Sequence, residues 1–239
     1  MKLPQNALVT TLVGSLLLSG LSAADNAEKP AAQPQGSVTY FDAAGSNTAA
    51  KADGSTATFV NSDDPAVKDI AQYGFKMIER IGGMMISEVN QELATREIAQ
   101  TVSIMHLKSL ELPKPVAGKP TVTAIKRTSL MLRDPRNAPD AADAAALDKI
   151  HTQLMADESP DKMLVQKVER AGQPVEWRVY RPIAASQSCL ACHGDPATFR
   201  PGVKAALDLL YPEDKAVEYG AKEWRGVIRV SLTAPTTAK

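Results

Sequence analysis

The two cysteines of this 239-residue chain, Cys189 and Cys192, are separated by two residues and are followed directly by His193. A pair this close in sequence cannot build the cross-linking framework that stabilises small secreted domains. The two thiols and the imidazole must therefore act together at one place. The short turn that carries them, from Ser188 to Gly194, constrains the fold that surrounds it.

The sequence Cys-Leu-Ala-Cys-His matches the C-x-x-C-H pattern through which c-type haem is attached. In this chemistry two thiols form thioethers with the two vinyl groups of the porphyrin, and the next residue places an imidazole nitrogen on the iron. The spacing therefore predicts one covalent haem c. Cys189 and Cys192 are the predicted attachment sites, and His193 is the predicted proximal iron ligand.

Two other kinds of site use similar residues. A thioredoxin-type dithiol also has two residues between its cysteines, but it normally opens a long helix, which Gly194-Asp195-Pro196 discourages. A structural zinc site needs four nitrogen or sulfur ligands, and the chain has no second cysteine pair. A periplasmic dithiol oxidoreductase that uses Cys189 and Cys192 stays open as an alternative.

The first 24 residues have the pattern of a secretory signal peptide. Lys2 supplies the positive charge, Ala7–Leu18 is a short apolar run, and small residues precede Asp25. The run is shorter than the roughly 20 residues of a membrane-spanning helix. We therefore predict cleavage after Ala23 or Ala24, and a soluble protein, periplasmic or otherwise exported, without stable membrane insertion.

Composition limits the partners and the extent of the folded part. Lys+Arg and Asp+Glu number 27 each, which argues against a nucleic-acid partner because such proteins carry a basic excess. Aromatic residues are 5% of the chain, so the core is aliphatic unless something other than protein fills it. Residues 25–64 are polar and rich in small residues, which predicts a flexible low-complexity leader. Residues 234–239 are predicted to be a loose tail.

A single folded domain is predicted over residues 65–233. The acidic residues before Pro65 form a helix-start signal, and apolar residues then recur at helical spacing from Val67 to Leu93. The pair Gly82-Gly83 could kink or break this long helix. A second helix is predicted from Ala94 to Leu110, and a third, alanine-rich helix over residues 140–155.

The remaining sequence favours strands. The predicted strands are residues 121–132, 163–169, 175–183 and 224–232, with a hairpin turn at residues 171–174 between the second and third. Helices that precede strands with hairpin neighbours are typical of an α+β fold with an antiparallel sheet. They do not favour a parallel, doubly wound fold.

The second axial position of the iron needs another ligand, a water or none. Candidates are His106, His151 and the methionines, and spacing alone does not rank Met105 above His106. Each has an ordinary role as well. Methionine at helical spacing usually packs in a core. The alternative for His106 is a surface or hydrogen-bonded histidine, and the alternative for His151 is a partner for the dipole at a helix C-terminus.

Several short motifs occur in fixed order in the predicted domain. They are Arg127-Thr128-Ser129, Arg133-Asp134-Pro135-Arg136-Asn137-Ala138-Pro139-Asp140, Tyr180-Arg181-Pro182-Ile183, Cys189 to Pro196, Tyr211 to Ala216, and Arg225-Gly226-Val227-Ile228. With these motifs the chain resembles a family of exported single-haem domains with a PAS-like fold. Its members include a soluble c-type cytochrome of photosynthetic bacteria and the extracytoplasmic sensor part of some histidine kinases.

This resemblance implies a PAS-like antiparallel sheet, flanked by a long N-terminal helical region, that holds one haem c with His193 as proximal ligand. In the family, a cysteine on the helix before the Arg-Thr-Ser strand can supply the other axial ligand. This chain has no third cysteine, and the family pattern places Met105 there with His106 beside it. We therefore hypothesise Met105 as the sixth ligand, with a higher potential than thiolate ligation gives; His106 is the alternative.

The resemblance also implies which cations meet the haem propionates. The motifs place Arg127, Arg133 and Arg181 best for that role. The alternative for each is an ordinary surface salt bridge.

Three functions are compatible with these features. The first is an exported monohaem c-type cytochrome that transfers one electron to an unidentified redox partner protein. The second is a haem-based redox or gas sensor that acts through a separate partner. The third is an enzyme, but no distal acid–base group is visible, so we expect no catalytic residues. Carbon monoxide uptake separates a tightly six-coordinate electron carrier from a sensor.

Overall fold

The structure is a computed structural model, and it describes residues 54–107 and 110–235. The predicted signal peptide, most of the predicted leader and the last four residues of the predicted tail lie outside the described residues. Among the described residues, no helix has the length and apolar character needed to cross a membrane.

The described chain forms five strands and five helices that alternate irregularly. Two three-residue 3₁₀ turns, Pro135–Asn137 and Pro196–Thr198, lie between them, and a third, Gln187–Cys189, leads into α4. In chain order the elements are β1 (Thr56–Val60), α1 (Lys68–Thr95), α2 (Ile98–Leu107), β2 (Thr121–Thr128), α3 (Ala141–Met155), β3 (Leu164–Glu169), β4 (Glu176–Ala184), α4 (Leu190–His193), α5 (Val203–Leu210) and β5 (Trp224–Thr233).

The five strands form one sheet in the order β1-β3-β4-β5-β2, and every neighbouring pair is antiparallel. The predicted hairpin is present, because β3 and β4 pair with Val165 opposite Val179. Gly172 takes a positive φ of 71° in the turn between them, a conformation that glycine adopts without steric cost. The prediction of an α+β chain with an antiparallel sheet is therefore confirmed.

Helices cover both faces of the sheet. Helix α1 packs its first half on one face, against a core that includes Ile78, Val179, Val230 and Leu232. Helix α3 covers the opposite face, where Leu147 and Ile150 pack with Tyr180 and Val227. The alternation of side chains along β4 and β5 divides these two cores between the faces. The result is a three-layer arrangement with the sheet in the middle.

A buried ionic network joins the start of α3 to the sheet. Asp140 caps α3, and its carboxylate accepts hydrogen bonds from Arg178 Nη1 at 2.7 and 2.8 Å. Asp143 is 0% exposed; it accepts from Lys126 Nζ at 3.0 Å and from the Tyr180 hydroxyl at 3.2 Å. Arg229 Nε lies 3.5 Å from the same carboxylate. This network fixes the layer that lies opposite α1.

Two predictions about the first part of the domain are wrong. Residues 56–60 were expected in the flexible leader, but they form β1 at the edge of the sheet, paired with β3. The sheet therefore begins before residue 65. Helix α1 also runs unbroken through Gly82-Gly83, because its backbone lies on the sheet there: a Cβ at Gly82 would be 3.4 Å from Ile228 Cδ1.

Other boundaries also differ. The second helix begins at Ile98 instead of Ala94, and β2 ends at Thr128 instead of residue 132. Ser129 stops that strand, because its Oγ accepts from Met131 N and donates to Met131 O in a tight turn. Helix α5 was not predicted, although Val203 and Leu207 are spaced for one buried helical face.

Candidate functional site

The Cys-Leu-Ala-Cys-His sequence forms one compact turn directly after β4. A 3₁₀ turn at Gln187–Cys189 runs into the single-turn helix α4, and Gly194 closes it by donating to Leu190 O at 3.0 Å. A Cβ at Gly194 would lie 2.8 Å from that same oxygen, so this position requires glycine. The turn places both free thiols and the imidazole within five residues of one another, as the attachment chemistry needs.

Two apolar clusters hold this turn from opposite sides. Cys189 and Leu190 pack against a small cluster of Ala185, Ala216 and Tyr219. Ala191 and Cys192 pack against the α2–α5 pair, whose buried side chains are Ile98, Val102, Val203, Leu207 and Tyr211. The motif therefore lies between α2 and α5 on one side and the loop that leads into β5 on the other.

His193 is held as a neutral imidazole with one nitrogen already used. Its Nδ1 lies 2.6 Å from Ala216 O, and the ring stands edge-on to Tyr219 with 6.3 Å between centroids. Desolvation, and then the charges of Arg133 and Arg225, lower the pKa of His193 well below its usual value. A neutral ring that donates from Nδ1 keeps a lone pair on Nε2, which is the tautomer that binds a metal.

Arg133 binds the motif through the protein backbone. Its Nη2 donates to Cys192 O and, at 3.2 Å, to Ala216 O, while its Nε donates to Asp214 Oδ2 at 2.9 Å. Asp214 Oδ1 in turn accepts from Ala216 N at 2.8 Å. Arg133 was predicted as a propionate partner. In the structure its Nε and Nη2 instead donate to the motif and to the loop whose Ala216 carbonyl orients His193.

Arg127 and Arg225 line the region around the motif. Arg127 is exposed to solvent, yet desolvation by the surrounding protein lowers its pKa. Arg225 is partly buried; its pKa is lowered for the same reason, and its guanidinium lies 5.2 Å from the Tyr219 ring centroid. Both guanidinium groups lie close enough to His193 that their positive charges lower the pKa of its ring.

Arg181 lies on the same sheet face as Arg127, since both are opposite Ile228 on β5. Its guanidinium, however, is engaged by α1. It lies 5.3 Å from the Phe75 ring centroid and 3.9 Å from Glu79 Oε1. The structure therefore brings Arg127 and Arg133 toward the motif and keeps Arg181 at the surface beside α1.

The two candidates for the second axial ligand lie on the helix that packs on the motif. Met105 is seven residues after Ile98 and His106 four after Val102, so both continue the buried stripe of α2. His106 Nδ1 is buried without a hydrogen-bond partner, and its ring stands edge-on to Tyr211 at 4.9 Å. An unpaired buried ring nitrogen is costly unless it binds something.

His151 lies elsewhere. It stacks on Trp224 at 6.4 Å and belongs to α3, on the sheet face opposite α1. This placement separates it from α2, which carries Met105 and His106.

The thiols do not resemble a reactive dithiol. Burial raises the pKa of Cys192, whereas catalytic dithiols have a lowered pKa at the start of a helix. The sheet is antiparallel, without the parallel βαβ unit of such enzymes. Among the residues that the structure describes, no cluster of three His, Cys, Asp or Glu could hold a metal ion. The raised pKa of Cys192 and the antiparallel sheet do not favour a redox dithiol.

Sequence reasoning missed several residues around the motif. Asp214, Ala216 and Arg225 lie within motifs that carried the family resemblance. Asp214 and Ala216 contact Arg133, and Ala216 also contacts His193, while Arg225 donates to Met131 O, so all of these contacts join distant parts of the chain. Arg136 was also missed; its Nη2 donates to His106 O at 2.9 Å and so ties the segment after β2 to the end of α2. The motif Arg133-Asp134-Pro135-Arg136, which the chain shares with the family it resembles, was the one signal that could have pointed to this contact between the segment after β2 and α2.

The model of the Tll0287-like family matches residues 45–233 of the chain, a span that includes β1. No curated protein matches. Among solved structures, the crystal structure of the cyanobacterial heme-protein Tll0287 matches with 24% sequence identity and a TM-score of 0.34. The match covers 48% of this chain and 62% of that one, so the chain spans less than two thirds of that relative's length.

Proposed function

The chain belongs to the Tll0287-like family, and we propose that it is an exported monohaem c-type cytochrome that transfers single electrons. The observation that carries this proposal is the state of His193. Its Nδ1 is committed to Ala216 O, its ring is neutral, and its Nε2 lies on the same short turn as the two free thiols. The heme-protein Tll0287, from which the family takes its description, supports haem as the cofactor.

Each residue at the motif has a defined task in this proposal. Cys189 and Cys192 would hold the porphyrin through thioethers, and His193 would bind the iron through Nε2. Arg127 and Arg225 offset the charge of the propionates. When bound, haem c supplies a one-electron redox centre; the chain's own residues fix its orientation and its electrostatic surroundings.

We propose a PAS-like arrangement, which the antiparallel sheet covered by the long helix α1 supports. Export to the periplasm after removal of residues 1–24 is proposed because covalent haem attachment follows export. The partner is a separate redox protein.

We further propose that α2 supplies the second axial ligand. Met105 is the hypothesis from the family pattern, and the unpaired buried Nδ1 of His106 is a specific observation in favour of His106. Ferric spectra of Met105→Ala and His106→Ala proteins distinguish them: the variant that lacks the ligand loses the low-spin signature. An unchanged low-spin spectrum in both variants excludes α2 as the source of the ligand.

Carbon monoxide tests electron transfer against sensing. A haem with two firm protein ligands ignores the gas, because both axial positions are filled, and this result is expected for an electron carrier. Ready uptake by the ferrous protein, with displacement of the α2 ligand, contradicts the electron-transfer proposal and favours the haem-based sensor. Reversible one-electron titration of the same sample tests the carrier function directly.

A further inference from the structure

The carbonyl of Ala216 accepts two hydrogen bonds from groups of different charge. His193 Nδ1 lies 2.6 Å from the oxygen, and Arg133 Nη2 lies 3.2 Å from it. A carbonyl oxygen has two lone pairs, so both bonds can form at once. The imidazole predicted to bind iron therefore shares its outer partner with a guanidinium.

This guanidinium is fixed in position. The Arg133 and Asp214 side chains are only 13% and 10% exposed, and their ion pair measures 2.9 Å. Asp214 also accepts from the amide of Ala216, so arginine, carboxylate and the Ala216 peptide form a closed ring of contacts. A third bond from Arg133, to Cys192 O, joins that ring to the turn that carries the two cysteines.

We propose that Arg133 is a positioning residue that raises the reduction potential of the haem by sharing the Ala216 carbonyl with His193. The inference rests on the proposed function. A hydrogen bond from the second ring nitrogen makes a histidine a stronger donor to its metal and so favours the ferric state. A carbonyl that also accepts a hydrogen bond from a guanidinium is a weaker acceptor for the imidazole. The histidine then gains less donor strength toward the metal, and the ferric state is favoured less.

The charge of Arg133 acts in the same direction. Positive charge near the iron disfavours the extra charge of the ferric state, and partial burial limits the screening of that interaction. Arg133 is not free to serve a propionate with the same atoms, since its Nε and Nη2 already donate to three acceptors. Its effect on the haem therefore passes through the loop and the axial histidine.

The test is a redox titration of the haem-loaded full chain and its variants. Arg133→Met removes both the charge and the donor, and we expect the ferric-to-ferrous ratio at a fixed poise to rise about tenfold, a fall in potential of ~59 mV for one electron. The double variant Arg133→Met/Asp214→Asn removes the ion pair without a change in net charge. Its potential should still fall, because the Ala216 carbonyl then serves His193 alone.

Arg170→Met is the matched control. Arg170 is also paired with a carboxylate, Glu176, but it lies beyond the hairpin end of β4, while the motif follows the opposite end. The eight residue steps from Glu176 to Ala184 correspond to about 26 Å of strand, more than a Debye length at physiological salt. We expect no measurable change in its potential.

The outcomes separate the two proposals. Two results overturn the carbonyl-sharing inference and leave the haem assignment standing. One is a double variant whose potential equals that of the parent, and the other is an unchanged or raised potential in Arg133→Met. If Arg133→Met does not yield folded haem protein, Arg133→Lys takes its place, because lysine keeps the positive charge but lacks the planar guanidinium. The reduction potential of Arg133→Lys should fall by less than that expected for Arg133→Met. An unchanged potential in Arg133→Lys overturns the inference. A parent chain without covalent haem overturns the proposed function itself.

Discussion

The close approach of α1 to the sheet gives a sharp quantitative prediction. Gly74 is buried on the sheet side of α1, and a Cβ there would lie 2.6 Å from Val179 Cγ2 and 2.8 Å from Leu232 Cδ1. Gly83 is in the same helix and has no atom within 4 Å of its would-be Cβ. The two positions therefore share the backbone environment of a helix and differ in packing.

The magnitudes follow from this contrast. Alanine gains about 0.8–1.0 kcal/mol over glycine within a helix, so we expect Gly83→Ala to stabilise the protein by about that amount. Gly74→Ala gains the same term but forces side chains in the core to shift, which costs about 1–3 kcal/mol. The free energies of unfolding of the two variants should therefore differ by about 1–3 kcal/mol, with Gly74→Ala the less stable.

Urea unfolding of the parent and both variants, followed by far-ultraviolet circular dichroism, measures this difference. An unchanged slope with denaturant ensures that the comparison concerns stability alone. Equal stabilisation by both substitutions contradicts the reasoning, because it means that α1 does not lie on β4 and β5 as closely as described. Since α1 leads directly into α2, that result also questions the position of α2 beside the motif.

Two further predictions concern the network on the opposite face. Burial raises the pKa of Glu176, but hydrogen bonds from Arg170 and two other donors outweigh it and hold the pKa at about 2, below its usual 4.5. The ionised Glu176 therefore contributes its full stabilisation to the fold above about pH 4.5, and this contribution of about 2 kcal/mol after solvent screening is lost as the pH falls toward 2. When the free energy of unfolding is measured against pH, the Glu176→Gln protein should lose about 2 kcal/mol less than the parent over this range. Asp143→Asn leaves three cations without their shared carboxylate, so we expect a loss of about 3–5 kcal/mol in urea unfolding, and a loss below 1 kcal/mol contradicts the network.

Local signals account for what the sequence predicted well. The β3–β4 hairpin has an alternating pattern in its second strand and a turn with Gly172, and α3 begins at Asp140 with a side-chain cap. Each signal lies within one short segment. The Cys-Leu-Ala-Cys-His turn is similar, because the proposed haem attachment requires fixed spacing in five consecutive residues.

Long-range partners account for what the sequence missed. The strand β1 has only five residues, Thr-Ala-Thr-Phe-Val, and it pairs with β3, about a hundred residues later in the chain. Its few apolar residues follow a long run of small and polar residues, so its role at the sheet edge depends on a partner that the local sequence does not show. Arg133 was recognisable as a functional residue from its motif, but two of its three partners are the carbonyl oxygens of Cys192 and Ala216, and backbone groups leave no trace in a sequence.

Covalent haem attachment is the central claim, and an absorption spectrum of the purified protein in alkaline pyridine, oxidised and reduced, tests it most directly. We predict the spectrum of a haem with two thioether bonds at one haem per chain, retained after denaturation. Cys192→Ala should shift the spectrum to that of a single thioether, because Cys189 remains. A parent protein without haem, or with haem that denaturation releases, contradicts the account.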